Sequence, residues 1–367
     1  MSTINRRTLL GTGAALAAAG VAPAFAAMPQ EGPDTPKLTM YIQDPMDEAE
    51  MRRLKQVGIN HVDIGNMRGQ PWSEEYLRGM VDSLKKGGLE LGIVMTRWSL
   101  DGGMDPGMSK IVYALPDRDQ EIARFKQSIV NAGKVGIPVI EYNFYNHRAV
   151  EGYKEIPGRG GSGLSDFNYE RMKDLPPIPS EGVHTHEQTW KNLEYFLKEV
   201  VPVAEKAGVR LSLHPNDPPS PMSRGSQQVM NSLADWKRLI AVVDSPSNCL
   251  TYDCGVTREI GEDPVAVANY FASRDRIGQV HFRNVIMRTP RLDYTEVAPD
   301  EGDNDMFAVM KALVDNKYKL LIMPEHPRGL DADKMLGRGW GGYTGWAYNI
   351  AYAKAMLQVA LMQRGRR

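Results

Sequence analysis

Val209-Arg210-Leu211-Ser212-Leu213-His214-Pro215-Asn216-Asp217-Pro218-Pro219 alternates in character and then stops at a histidine. Prolines 215, 218 and 219 cannot donate ladder hydrogen bonds and have a fixed φ, so an extended run must end at His214 and continue as a stiff loop. A histidine held at a strand tip becomes a site only when other elements bring partners to it. The question for the rest of the chain is which elements end beside it.

Working outward, extended runs are expected at 38–42, 61–65, 89–95, 137–143, 209–214, 250–254, 277–282 and 320–325. Between them the 3.6-residue pattern predicts helices at 47–56, 73–86, 117–134, 187–207, 233–243, 264–273 and 305–315, with a last helix over 343–363. Eight strands alternating with helices predict a single-domain α/β (β/α)8 barrel, the TIM barrel. Residues 144–186 lose this periodicity and are rich in Gly, Pro, Arg and Ser, including Gly158-Arg159-Gly160-Gly161-Ser162-Gly163. A segment of that length inside a compact domain reads as an active-site loop or lid, or else as disordered.

The 367 residues leave room for one large barrel, and 42% hydrophobic with 24% charged residues is ordinary for a soluble globular protein. A net charge of -1 offers no basic surplus for phosphates, so nucleic acid is not an expected partner and a small molecule is. Asn5-Arg6-Arg7-Thr8-Leu9-Leu10, an Ala/Gly-rich run and Ala24-Phe25-Ala26 resemble a twin-arginine export leader over residues 1–26, leaving 27–367 as the catalytic domain. That route carries folded proteins, which suits one loaded with a metal or cofactor before export to the periplasm, with no membrane contact after leader removal. The two cysteines, Cys249 and Cys254, lie five residues apart. On one extended strand that is about 16 Å, beyond the roughly 7 Å over which Cα atoms are bridged, so no disulfide is expected.

Reactive groups of such barrels sit at the C-terminal ends of the strands. The last four strands are expected to end at His214, at Asp253-Cys254-Gly255, at His281 and at Glu325-His326. Four converging N and O donors make a divalent metal site. Period-two alternation places Arg210, Ser212 and His214 on one face, and Gln279 and His281 on another. It likewise groups Thr251 with Asp253, and Leu321 and Met323 with Glu325, and it sets Cys254 on the opposite face. The expected ligands are therefore His214, Asp253, His281 and Glu325, with Cys254 as the alternative to Asp253. Arg283, two residues beyond His281, is placed to hold a substrate carboxylate bidentately. Arg159 in the glycine-rich segment is a candidate to close over substrate, and Asp217 is expected to order its loop as an Asx turn. His61, His147, His184 and His186 have no evident ring of partners.

Six stretches, namely His214-Pro215-Asn216-Asp217-Pro218-Pro219, Glu259-Ile260-Gly261-Glu262-Asp263, Val280-His281-Phe282-Arg283-Asn284-Val285, Glu301-Gly302-Asp303, Pro324-Glu325-His326 and Gly342-Tyr343-Thr344-Gly345, resemble the mannonate dehydratases. The resemblance runs from about Leu38 to Leu361. It implies a metal-dependent, xylose-isomerase-like barrel, usually with manganese, that dehydrates D-mannonate to 2-dehydro-3-deoxy-D-gluconate. It also implies His326 and Tyr343 as the catalytic proton-transfer groups and Tyr142 and Asn143 as substrate contacts. The family usually shows Cys-x-Gly on strand six and Pro-Asp-His on strand eight. Anchored on Gly255, the thiolate position holds Asp253 here, and Glu325 stands for the aspartate. Such a hard donor shell suits Mn²⁺, Mg²⁺ or Zn²⁺. The alternative readings are a metal-dependent sugar isomerase or epimerase and a non-catalytic periplasmic sugar-acid binding protein; the subunit count, a homo-oligomer included, is left open.

Overall fold

The computed structural model describes residues 28–43, 46–67, 69–96, 106–145, 148, 150–335 and 342–365. The leader reading and His147 fall outside these residues. The first half runs β1 (Lys37–Ile42), α1 (Glu48–Gln56), β2 (His61–Met67), α2 (Glu74–Lys86), β3 (Glu90–Thr96), α3 (Pro106–Val112), α4 (Arg118–Val135) and β4 (Val139–Tyr142). There follow β5 (Tyr153–Pro157), β6 (Gly163–Asn168), α5 (His186–Ala207), β7 (Arg210–Leu213), β8 (Met222–Ser223), β9 (Ser226–Gln227) and α6 (Leu233–Val242). The remainder is β10 (Asn248–Asp253), α7 (Cys254–Glu259), α8 (Pro264–Ala272), β11 (Ile277–His281), β12 (Asn284–Thr289), β13 (Asp293–Val297), α9 (Met306–Asp315), β14 (Leu321–Met323), α10 (Asp331–Met335) and α11 (Tyr343–Arg364).

Eight parallel strands close in the order β1-β14-β11-β10-β7-β4-β3-β2, the expected barrel. Its helices start and stop where the side chains dictate. Asp47 caps α1 in a box with Glu50, Ser73 caps α2, and Thr185 caps α5 in a box with Gln188. The strand faces turned to the helices form the main core, with Leu38, Val62, Ile64, Ile140, Leu211, Leu213, Tyr252 and Val280 packed against Phe125, Trp190, Phe196 and Trp236. Inside the barrel Ile93, Met95, Val139 and Leu321 make a separate small apolar cluster. A side chain at Gly92 would meet Leu321 Cδ1 at 2.2 Å, so the glycine leaves the volume that Leu321 fills. The other inward positions are polar: Thr39, Asp63, Glu141, Ser212, Thr251 and Gln279 are all buried.

Register aligns the strand tips. Glu141 pairs with Ser212, Asp253 with His281, and His281 with Met323, two residues before Glu325. The segment expected as a structureless loop or lid instead supplies β5 and β6, which join β12 and β13 in a four-stranded antiparallel sheet of order β12-β13-β6-β5. Phe167, Met172, Val285 and Tyr294 give this sheet its own apolar cluster. Cys249 and Cys254 are buried and free, and no described helix is long and apolar enough to cross a membrane.

Candidate metal centre and active site

His214 follows the last residue of β7, and its backbone N–H donates to the Tyr142 carbonyl at 3.0 Å. Its Nδ1 lies 2.6 Å from the carbonyl of Pro215, which also accepts the Tyr145 hydroxyl at 2.7 Å. The proline loop therefore holds the ring through Nδ1 and leaves Nε2 to the barrel mouth. There Nε2 stands 3.1 Å from His281 Nδ1. The same His281 nitrogen lies 3.2 Å from Glu325 Oε2 and 4.0 Å from Asp253 Oδ2.

Four ligands around a tetrahedral divalent ion, at about 2.1 Å each, are about 3.4 Å apart. Measured from His281 Nδ1, His214 Nε2 and Glu325 Oε2 lie near that spacing and Asp253 Oδ2 a little beyond it, and all four residues are buried. Ligand atoms of Asp253, His281 and Glu325 lie within 4.8 Å of one another, as do those of Glu141, His214 and His281. Glu325 Oε1, on the Nδ1 side of His281, is buried with no hydrogen-bond partner, and its one close cation is the Arg283 guanidinium at 3.2 Å, an arrangement that a bound cation would relieve. Charge argues the same way. Among the described residues, the carboxylates Asp217, Asp253, Glu259, Glu296 and Glu325 outnumber the guanidiniums paired with them, Arg283 and Arg328, an excess that a cation would offset. The residues fit a divalent cation.

Electrostatics follow from this crowding. Burial pushes the Asp253 carboxyl above its ordinary value against the pull of Arg283. Glu325 goes the other way: burial would raise it, but His281, His326 and Arg283 hold it well below the carboxylate range. Burial disfavours the His281 imidazolium, yet Glu325 and Glu141 raise its pKa well above the usual value.

Asp253 and Cys254 part company at the tip of β10. Asp253 Oδ1 caps α7 by accepting from the Val256 N–H at 2.8 Å, which leaves Oδ2 for the cluster. The Cys254 thiol turns away, 3.2 Å from the carbonyls of both His281 and Arg283, and burial pushes its pKa up. The tip of β14 is tied down by Asn349, whose amide donates to the carbonyls of Pro324 and Glu325 at 3.1 and 2.9 Å.

With this geometry in place, the wider similarity of the chain can be read. The family described as D-mannonate dehydratase (UxuA) matches residues 180–365, just over half of the sequence. The chain belongs to the D-mannonate dehydratase family. It is 29% identical over 301 residues to the mannonate dehydratase of Streptococcus equi subsp. zooepidemicus, covering 75% of this chain and 80% of that one. It is also 29% identical over 324 residues to that of Lactococcus lactis subsp. cremoris, covering 77% and 87%. The crystal structure of mannonate dehydratase from Streptococcus suis serotype 2 superposes with a TM-score of 0.78 at 26% identity, covering 90% of this chain and 96% of that one. D-psicose 3-epimerase from Clostridium cellulolyticum H10, at 14% identity and a TM-score of 0.53, shares the fold. The chain is thus an enzyme of a metal-dependent hydro-lyase family.

Other candidates lie elsewhere than the sequence suggests. Arg283, expected to clamp a substrate carboxylate, is 2% exposed and already committed: Nε to Asp253 at 3.0 Å and to Glu325 at 3.2 Å, Nη1 to Glu259 at 2.6 Å, Nη2 to Asp217 at 3.0 Å. Gly255 makes this burial possible, because a side chain there would meet the guanidinium at 2.7 Å. In this dehydratase Arg283 is an internal countercharge to Asp217, Asp253, Glu259 and Glu325. Asp217 makes no Asx turn; its carboxylate accepts from Arg283 and, at 3.0 Å, from the Tyr153 hydroxyl of β5. Tyr142 points outward into the helix layer, where its ring lies 6.2 Å from that of Phe125 and 5.6 Å from that of Phe196. It cannot contact substrate from there. Asn143, at the end of β4, is half-buried. Arg159 sits on an exposed turn and is paired with Asp300 at 2.7 and 3.2 Å. The Tyr343 hydroxyl donates to the Arg53 carbonyl of α1 at 3.0 Å, away from the metal cluster.

His326 does reach the site. In the left-handed region at φ +48, it places Nδ1 2.8 Å from Glu296 Oε2 and Nε2 3.6 Å from Glu325 Oε2. Burial lowers its pKa, but Glu296 and Glu325 raise it above the usual histidine value overall. Glu296 comes from β13 and also accepts from Arg328 at 2.9 Å. Sequence reasoning missed Glu296, which carries no motif, and Glu141, which the alternation rule places inward on β4 beside Tyr142. His186 and His184 are structural: His186 Nε2 lies 3.0 Å from Asp235, and His184 stacks on Tyr113 with ring centroids 4.8 Å apart.

Proposed function

We propose that this enzyme removes water from D-mannonate to give 2-dehydro-3-deoxy-D-gluconate, with one divalent ion, manganese, held by His214, Asp253, His281 and Glu325. The observation that carries this is the Asp253–His281–Glu325 group at the strand ends, with His214 Nε2 3.1 Å from the same His281 nitrogen and His326 beside Glu325, in a chain of this family. The donors are two imidazoles and two carboxylates, a hard set that suits Mn²⁺ over thiophilic ions, with Mg²⁺ and Zn²⁺ as alternatives.

Elimination requires loss of the weakly acidic proton next to the carboxylate and protonation of the hydroxyl that departs from the neighbouring carbon. The ion, when bound, supplies Lewis-acid stabilisation of the negative charge that builds up on the carboxylate side. His326 handles proton transfer: Glu296 anchors Nδ1, so Nε2 is presented on the Glu325 side of the mouth, where substrate must lie to reach the ion. Arg283 and Asn349 keep Glu325 in place. Tyr343, with its hydroxyl on the Arg53 carbonyl, is assigned no step. Asn143 is kept as a substrate contact at the rim.

Manganese-loaded protein incubated with D-mannonate should yield a 2-keto-3-deoxy acid one water lighter than the substrate, and chelation should abolish the reaction. A product of unchanged mass would mean isomerisation or epimerisation, and tight binding without turnover would mean a binding protein. Arg6-Arg7 ahead of an Ala/Gly-rich run supports export by the twin-arginine route to the periplasm. An Arg6→Lys/Arg7→Lys variant should then stay in the cytoplasmic fraction; unaltered export would contradict that route.

A further inference from the structure

His281 shows its two ring nitrogens to two different surroundings. Nδ1 faces His214 Nε2, Glu325 Oε2 and Asp253 Oδ2 at 3.1, 3.2 and 4.0 Å. Nε2 lies 3.5 Å from Glu141 Oε2 and makes no hydrogen bond among the described residues. Glu141 is 1% exposed. Its Oε2 also accepts from the Thr251 hydroxyl at 3.1 Å, and that hydroxyl lies 2.9 Å from Ser212 Oγ. Neither Lys nor Arg pairs with Glu141 among the described residues. All three side chains project into the barrel by the alternation that brings His214 and Asp253 to its mouth.

A neutral imidazole ligates through one nitrogen and carries its proton on the other, and the hydrogen bond at the far nitrogen decides which is which. The other three metal donors all lie on the Nδ1 side. The lone pairs of the two ring nitrogens diverge, so an ion seated among those donors is not the one Nε2 would serve. We propose that Glu141 is a positioning residue of the metal centre: it accepts a hydrogen bond from Nε2–H of His281, fixes the ring in the tautomer that frees Nδ1 for the ion, and is itself held by Thr251. This rests on the metal-centre reading above. The competing role is direct ligation, since ligand atoms of Glu141, His214 and His281 lie within 4.8 Å of one another.

The two roles separate on titration of the metal-stripped full chain with Co²⁺ alone, following affinity by calorimetry and coordination by the visible absorption bands. Glu141→Ala should weaken Co²⁺ binding by about 10–100-fold, the usual effect of losing an outer-shell partner. Glu141→Gln, whose amide oxygen still accepts from Nε2–H, should recover part of that loss, and both variants should keep the wild-type band pattern. Thr251→Val should weaken binding by less than Glu141→Ala. Wild-type affinity in Glu141→Ala, or an altered band pattern in Glu141→Gln, overturns the proposal. Should Glu141→Ala not fold, Glu141→Gln and Thr251→Val decide by the same readings. His214→Ala is the control: undiminished Co²⁺ binding there overturns the metal-centre reading itself.

Discussion

Asp253 and Cys254 are neighbours that face opposite ways, and that difference decides the chemistry of the centre. Asp253 directs Oδ2 at His281 while Cys254 rests on two backbone carbonyls. Asp253→Ala should lower metal affinity by about 100-fold or more, whereas Cys254→Ser should stay within about 3-fold, the loss of a ligand set against that of a small buried contact; metal content after gel filtration checks both. Glu296→Gln should reduce kcat by about 10–100-fold with metal content unchanged, because it disturbs the group that orients His326 and not a ligand. The opposite facing of Asp253 and Cys254, and the placing of His214, His281 and Glu325 at strand ends, were legible in the sequence, since a strand tip and a period of two suffice to aim a side chain. Glu141 was legible by the same rule, yet the more conspicuous Tyr142-Asn143 pair draws attention from it. Arg283 was not: its burial depends on the missing side chain at Gly255 and on carboxylates from four other segments.

At the scale of elements, the barrel was legible because each strand and helix announces itself within its own stretch, by alternation, caps and glycine stops. The antiparallel sheet was not. β13 pairs with β6, so Asp293 sits against Asn168 and Glu296 against Ser165, partners that no local window contains. Its seam is ionic: Asp166 of β6 accepts from Arg288 of β12 at 2.7 Å and from Thr295 of β13 at 2.9 Å, and pairs with Arg171. Burial opposes ionisation of Asp166, but Arg171, Thr295 and Arg288 bring its pKa below the ordinary value of 3.8. A depressed folded value stabilises the sheet fully above that ordinary value and loses its effect as pH falls through the folded one. Asp166→Asn should therefore melt below the wild type at neutral pH, with the gap closing as pH falls below 3.8; a gap that does not change from neutral to strongly acid pH would show that the pairing contributes through shape alone.

At the scale of the molecule, the barrel gathers its reactive groups at one end, and the antiparallel sheet reaches over that end with Tyr153 on Asp217 and Glu296 on His326. The sheet thereby contributes side chains to the proposed site. Family membership places the chain among the mannonate dehydratases, and the proposed centre adds Asp253 as a ligand in place of Cys254. Anomalous scattering at the manganese edge, from crystals of the full-length protein grown with Mn²⁺, tests that centre most directly. One peak within coordination distance of His214 Nε2, Asp253 Oδ2, His281 Nδ1 and Glu325 is the predicted result. A peak bound by Cys254, or one seated between Asp217, Glu296 and His326, would contradict it.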